Sequence, residues 1–332
     1  MVFPWQLSLS LARYILHQRL ARRSRYPLVL MLEPTLRCNL ACAGCGRIRE
    51  AEEIGHRELT VEECLAAIDE AGAPILPLTG GEPLLHSEIG SIVRGAVARR
   101  VYVYLCTNGL QLQSALHRLA PSPYLSFVVH LDGLARTHDR LAGRGGVFAA
   151  AMAGVAAAKA AGFQVRTNTT VYRDTDPKEL SSLFSALAAM GVDGMMVSPA
   201  FRYEQVGADI FPTRTEATGL IGPILAQHRW LRFYSTPLYR DLLSGRVSLP
   251  CSPWSTPTRN PRGWKRPCYL LADGYCASYA ELMQTPWERY GPGNDPRCAH
   301  CMMHSGFEAS ALEAATKSPR ELARLMVWHL LW

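Results

Sequence analysis

The chain has 332 residues, 48% of them hydrophobic and 19% charged, without low-complexity tracts or a regular repeat; this excludes disorder and solenoids and leaves apolar surface for one large core or two modest ones. The net charge of +7 admits an anionic partner, but the excess is local, since no Asp or Glu precedes Glu33 while Arg13, Arg19, Arg22, Arg23 and Arg25 all do. Ten cysteines in so large a chain, behind an N-terminus that mixes arginine with apolar residues, read as metal ligands or reactive thiols in a reducing compartment, and no apolar run is long enough to span a bilayer.

Residues 1–26 form an opening amphipathic segment. Phe3, Trp5, Leu7, Leu11, Tyr14 and Ile15 with the arginine series have the make-up of an interfacial helix, packing on the protein itself being the alternative. From 27 to 200, apolar runs at 28–32, 75–78, 101–106, 125–131, 163–171 and 194–197 alternate with segments rich in helix formers at 60–71, 89–99, 147–161 and 177–190. Strand then helix, repeated, predicts an α/β fold: a parallel sheet with right-handed crossovers, closed or partly closed as a (β/α)6 barrel. Its chemistry belongs in the loops after the strands. From 201 to 332 the composition turns to Trp, Tyr, Pro, Gly and Cys with few clear helices, which predicts an appended cap or substrate module. Leu322, Leu325, Met326, Trp328, Leu330, Leu331 and Trp332 form a second apolar edge.

Directly after the first run, Cys38-Asn-Leu-Ala-Cys42-Ala-Gly-Cys45 places three thiols within eight residues. A zinc finger needs four protein ligands in spaced pairs, and a closed [4Fe-4S] cluster needs four cysteines. Three leave one iron open to the amino and carboxylate groups of S-adenosylmethionine (SAM). Gly44 and Gly46 allow the backbone to wrap closely. After the second run, Gly80-Gly81-Glu82-Pro83 offers glycines for close approach and a carboxylate for an ammonium.

The cysteine loop and the Gly-Gly-Glu-Pro turn resemble the radical SAM superfamily, although Gly44 stands where that superfamily usually has an aromatic residue. The resemblance implies a [4Fe-4S] cluster on Cys38, Cys42 and Cys45, with SAM held by Gly80, Gly81 and Glu82. It places Asn108, Asp132, Asn168 and Ser198, at or near the ends of later strands, beside ribose and adenine. It also implies an external electron donor of the flavodoxin or ferredoxin type.

A closer resemblance is carried by 26–34, 37–46, 61–65, 80–86, 104–108 and 130–133, and beyond them by Pro253-Trp254, 257–260, Gly263-Trp264, 266–271, Tyr290-Gly291 and 306–308. Across nearly the whole chain these are similar to the adenosylhopane synthase family of hopanoid biosynthesis. That family adds the 5'-deoxyadenosyl radical to the exocyclic alkene of diploptene, a polycyclic triterpene, and consumes SAM. Cys106 matches the family's conserved cysteine, and the resemblance makes it the hydrogen-atom donor to the tertiary carbon radical left by addition. A peripheral position at the inner face of the membrane is implied, and no nucleic acid partner. The alternative is a radical SAM enzyme that abstracts hydrogen from a peptide or another terpenoid with the help of a C-terminal auxiliary cluster. A zinc-binding scaffold is a third class. Cys251, Cys268, Cys298 and Cys301 stay open between metal ligands and structural thiols: Cys298-Ala-His-Cys301 has ligand spacing, whereas Ser305 stands where the family has a further cysteine.

Overall fold

The computed structural model describes residues 5–46, 57–204 and 206–331. After helix α1 (Trp5–Leu20), strands β1 (Met31–Thr35), β2 (Ile75–Gly80), β3 (Tyr102–Thr107), β4 (Leu125–His130), β5 (Gln164–Val171) and β6 (Gly194–Pro199) pair in parallel, each beside the one before it. Between them run α2 (Val61–Ala71), α3 (Ile89–Ala98), α4 (Ala135–Ala142), α5 (Val147–Ala160) and α6 (Pro177–Ala189). The expected α/β partial barrel is therefore present. Its first strand begins later than the apolar run suggests. The Leu28 and Val29 amides donate to the Ser255 carbonyl at 2.9 and 3.1 Å, so the C-terminal part of the chain captures the start of that run.

Register and the two-residue alternation of strands decide which side chains face the interior. Leu32, Leu78, Leu105, Phe127 and Val165 are partners across five strands, are fully buried, and face the helices. Each contributes roughly 1.5–3 kcal/mol by leaving water. Opposite them α6 offers Leu180, Leu183, Phe184 and Leu187, a stripe with helical spacing. One residue further along the strands the partners are Cys106, Val128, Arg166 and Gly194, which consequently face the lumen.

The C-terminal part contains α7 (Arg214–Gln227), α8 (Pro237–Leu243), the strands β7 (Thr258–Asn260), β8 (Gly263–Pro267) and β9 (Ala272–Cys276), and the helices α9 (His304–Lys317) and α10 (Pro319–Leu331). It holds more helix than its composition suggests. Thr213 and Glu216 form a capping box at the start of α7, and Thr236 caps α8, so local hydrogen bonds start helices that Pro223 and the mixed composition obscure. Strand β7 pairs in parallel with β1 and leads into an antiparallel β7-β8-β9 extension, so the cap shares one nine-stranded sheet with the barrel.

Helix α1 docks on the C-terminal helices through Ser8 to His329 at 3.0 Å and Arg19 to Thr316 at 2.6 Å. Leu7, Leu11, Tyr14 and Ile15, expected at a lipid interface, turn toward the protein instead, and the Tyr14 hydroxyl donates to the Pro27 carbonyl at 2.7 Å. They lie on the helix face that continues to buried Gln18, which fixes their direction. The exposed apolar residues are others: Leu9, Leu16 and Leu20 on α1, and Leu322, Met326 and Val327 on α10. Leu325 and Trp328 of the expected second edge are buried. Phe3, Trp332 and the side chains of Trp5, Leu330 and Leu331 lie outside the described residues. Among the described residues no single helix is long and apolar enough to cross a membrane.

Candidate active site

The loop after β1 is fastened to the loop after β2 mainly by backbone, with Arg37 Nη2 also donating to the Leu85 carbonyl at 3.3 Å. The Gly81 amide donates to the Thr35 carbonyl at 3.0 Å and the Glu82 amide to the Arg37 carbonyl at 2.8 Å. This approach needs the two glycines: a Cβ on Gly80, whose φ is +106°, would stand 2.4 Å from the Thr35 oxygen, and one on Gly81 would stand 2.1 Å from the Arg37 oxygen. The space beside both residues is therefore filled by protein, and their first effect is to seat the cysteine loop.

Within that loop the Cys45 amide closes a turn on the Cys42 carbonyl at 3.1 Å, and the Ala43 amide donates to the Leu141 carbonyl at 2.8 Å. Desolvation pushes the Cys42 thiol up to about 12 and raises that of Cys38, and in both the charge of Cys45 acts in the same direction. Cys38 also receives backbone amides from Leu40 and Asn39. Three sulfurs in one loop, with two amides aimed at that of Cys38, suit a cationic group with three protein ligands, and exposed Cys38 leaves the site open on one side. Gly44 is explained by a neighbour. Its missing side chain would lie 2.7 Å from the ring and hydroxyl of Tyr172, which reaches over from the residue after β5 and occupies the space.

Glu82 is 1% exposed and accepts from Thr107 Oγ1 at 2.8 Å, the Asn108 amide at 2.8 Å and the Leu84 amide at 3.1 Å. Burial pushes its carboxyl up to about 7 against these three donors. Asn108 donates to Asn39 Oδ1 at 2.8 Å, tying β3 to the cysteine loop. Cysteine loop, Glu82 and Asn108 thus form one connected group.

The remaining sequence-predicted residues stand across the lumen. Asp132, 5% exposed, takes His130 Nε2 at 2.8 Å on one oxygen and the Thr170 amide at 2.8 Å on the other. Asn168 meets His130 Nδ1 at 3.4 Å. His130, Asn168 and Met196 form one rank across β4 to β6, and buried Ser198 pairs with Thr170 in the next. Cys106 lies one rank deeper. Its thiol donates to the Tyr104 carbonyl at 3.6 Å, and burial followed by the Glu82 charge pushes it up to about 12, so it remains an S–H group at neutral pH. Below it the Arg166 guanidinium lies between the rings of Tyr104 at 4.8 Å and Tyr234 at 5.4 Å.

Several residues here escaped the sequence reading. His130 was detectable, being one strand period before Asp132. Glu33, 0% exposed and receiving Asn260 Nδ2 at 3.2 Å, and Tyr234 over Gly194 had no such signal, because their partners come from distant parts of the chain.

Residues 32–187 match the model of the radical SAM superfamily, and residues 195–325 match a domain of unknown function (DUF3463). The AdoMet-dependent heme synthase of Oleidesulfovibrio alaskensis is 32% identical over 54% of this chain and 47% of its own. The mycofactocin maturase MftC of Mycolicibacterium smegmatis is 29% identical over 60% and 52%. The chain spans about half the length of the curated relatives it matches. Streptococcus suis SuiB bound to its precursor peptide SuiA superposes with a TM-score of 0.65 over 93% of this chain and 77% of that one, at 14% identity, a likeness of fold alone.

Proposed function

Residues 32–187 belong to the radical SAM superfamily, whose cofactors are a [4Fe-4S] cluster and SAM, and on that premise we propose that this chain adds the 5'-deoxyadenosyl group to the exocyclic alkene of diploptene or a related triterpene. Cys38, Cys42 and Cys45 would hold the cluster, with Glu82, Asn108, Asp132, Asn168 and Ser198 around SAM. When bound, the two supply the 5'-deoxyadenosyl radical.

The observation that carries the reading is Cys106, a thiol kept protonated on a lumen-facing rank beside Val128. Addition to the terminal carbon of an exocyclic alkene forms one C–C bond and leaves a tertiary carbon radical. The Cys106 S–H bond breaks to give that carbon a hydrogen atom, and the resulting thiyl is restored by one electron and one proton from the external reductant. A thiol held on one face delivers hydrogen to one face. Cys106→Ala should retain 5'-deoxyadenosyl formation while adenosylated product falls or becomes a mixture of epimers, as read by anaerobic turnover with diploptene and chromatography. One unchanged epimer at the wild-type rate would refute the role.

Hydrogen abstraction from a peptide is a second reading, favoured by the likeness in fold to SuiB over most of this chain. Release of 5'-deoxyadenosine in step with a modified peptide, and no adduct with diploptene, would decide for it.

For a triterpene substrate we propose peripheral binding to the inner face of the membrane. Leu9, Leu16 and Leu20 support this, exposed on α1 together with Arg13 and Arg19, as do the exposed Leu322, Met326 and Val327 of α10, on which α1 docks.

A further inference from the structure

Four cysteines that are distant in sequence line one cavity of about 490 Å³, its open mouth included. Cys251 precedes a turn at Pro253–Ser255, Cys268 follows β8, and Cys298 and Cys301 lie in the loop before α9. Phe201, Leu270 and Leu271 make the surroundings apolar. None of the ten cysteines, all among the described residues, forms a disulfide.

The arrangement repeats that of the loop after β1. The Cys301 amide closes a turn on the Cys298 carbonyl at 3.0 Å, as Cys45 does on Cys42. Backbone amides of Gly291 and Met303 are aimed at the sulfurs of Cys298 and Cys301. The packing also makes room for sulfur: a Cβ on Gly306 would lie 2.5 Å from Cys251 Sγ. The loop is braced from outside. Arg297 grips Asp273 through both guanidinium nitrogens at 2.6 and 3.0 Å and Asp295 at 2.7 Å.

We propose that Cys251, Cys268, Cys298 and Cys301 ligate a [4Fe-4S] cluster that is distinct from the one at Cys38, Cys42 and Cys45 and is closed by four thiolates. Among the described residues no three His, Cys, Asp or Glu side chains close around a single metal ion, and this holds equally for the first cysteine loop. Cys251, Cys268, Cys298 and Cys301 line one cavity and do not close on a point, which suits a cubane better than a tetrahedral zinc. Ser305 lines the same cavity, but four thiolates complete the ligand set without it. Each thiol loses its proton on ligation. The site does not depend on the triterpene reading.

The test uses the full chain with Cys38, Cys42 and Cys45 all changed to Ala, reconstituted anaerobically with iron and sulfide. The expected result is about four iron and four sulfide per chain, as one closed cubane requires. Cys298→Ser with Cys301→Ser in an otherwise unchanged chain should lower the iron content by about half. Binding of zinc alone, absence of iron in the triple variant, or an unchanged iron content in the double variant would overturn the proposal. A measurement on the unmodified protein guards against misfolding of the variants. Electron paramagnetic resonance of the reduced protein should show two signals, one that changes when SAM is added and one that does not. A single signal that changes entirely with SAM would also overturn it. If neither signal responds to SAM while the triple variant keeps its iron, the radical SAM reading fails and the closed cluster stands.

Discussion

The loop after β1 and the loop before α9 are built on the same turn, a Cys-x-x-Cys closed by an amide on the carbonyl three residues back, at 3.1 Å in one and 3.0 Å in the other. They differ in what they gather. The first adds Cys38, four residues away, and remains open on one side, whereas the second draws Cys251 and Cys268 from distant segments and sits in an apolar cavity. A site that must admit a ligand is complete within one loop. A site closed by protein has to wait for the tertiary fold.

The comparison breaks most visibly at the open set. Cys42→Ala would remove one of the three proposed ligands, and 5'-deoxyadenosine formation should fall to background in an anaerobic assay; retained formation would remove the basis for reading the loop as the SAM site. Gly81→Ala should come next, because its Cβ would meet the Arg37 carbonyl at 2.1 Å and displace the cysteine loop. Misplacement by about 1 Å costs roughly 100-fold in such chemistry. SAM cleavage should fall by about that factor while C-terminal iron is unchanged. At the closed set the bracing can be weakened without touching a thiol. Arg297→Ala loses part-exposed ion pairs worth about 1 kcal/mol, and the expected result is a slightly lower melting temperature and faster loss of C-terminal iron, with initial SAM cleavage unaltered. The smallest effect lies far from both sets: Leu9, Leu16 and Leu20 changed together to Asp should reduce sedimentation with anionic vesicles and leave SAM cleavage in detergent intact. Equal sedimentation would assign that face to another use.

The same division governs what the sequence discloses. The six parallel strands were visible because apolar runs such as 101–106 recur with helices between them, and the first cysteine loop because its three cysteines fall within eight residues. The stripe Leu180, Leu183, Phe184 and Leu187 likewise carries its period in the chain. The direction of α1 was not visible, since Leu7 and Leu9 are equally apolar and only docking on α9 and α10 separates them. Nor could composition show β7 joining β1, Asn260 reaching Glu33, or Tyr234 covering Gly194. Each of these depends on which distant segment arrives as neighbour.

Tyr172 carries this dependence into the cysteine loop itself. Because its ring fills the space that a side chain at position 44 would take, loop and strand end behave as a single inherited part, although most of the barrel lies between them in sequence. The loop is therefore not portable. A chimera that receives residues 38–46 from a relative with an aromatic before the third cysteine would place two rings in one volume, and the reverse graft would leave a hole beside the thiols. Only an exchange of both positions together would be silent, so Gly44 and Tyr172 are expected to change in concert wherever this architecture has diverged.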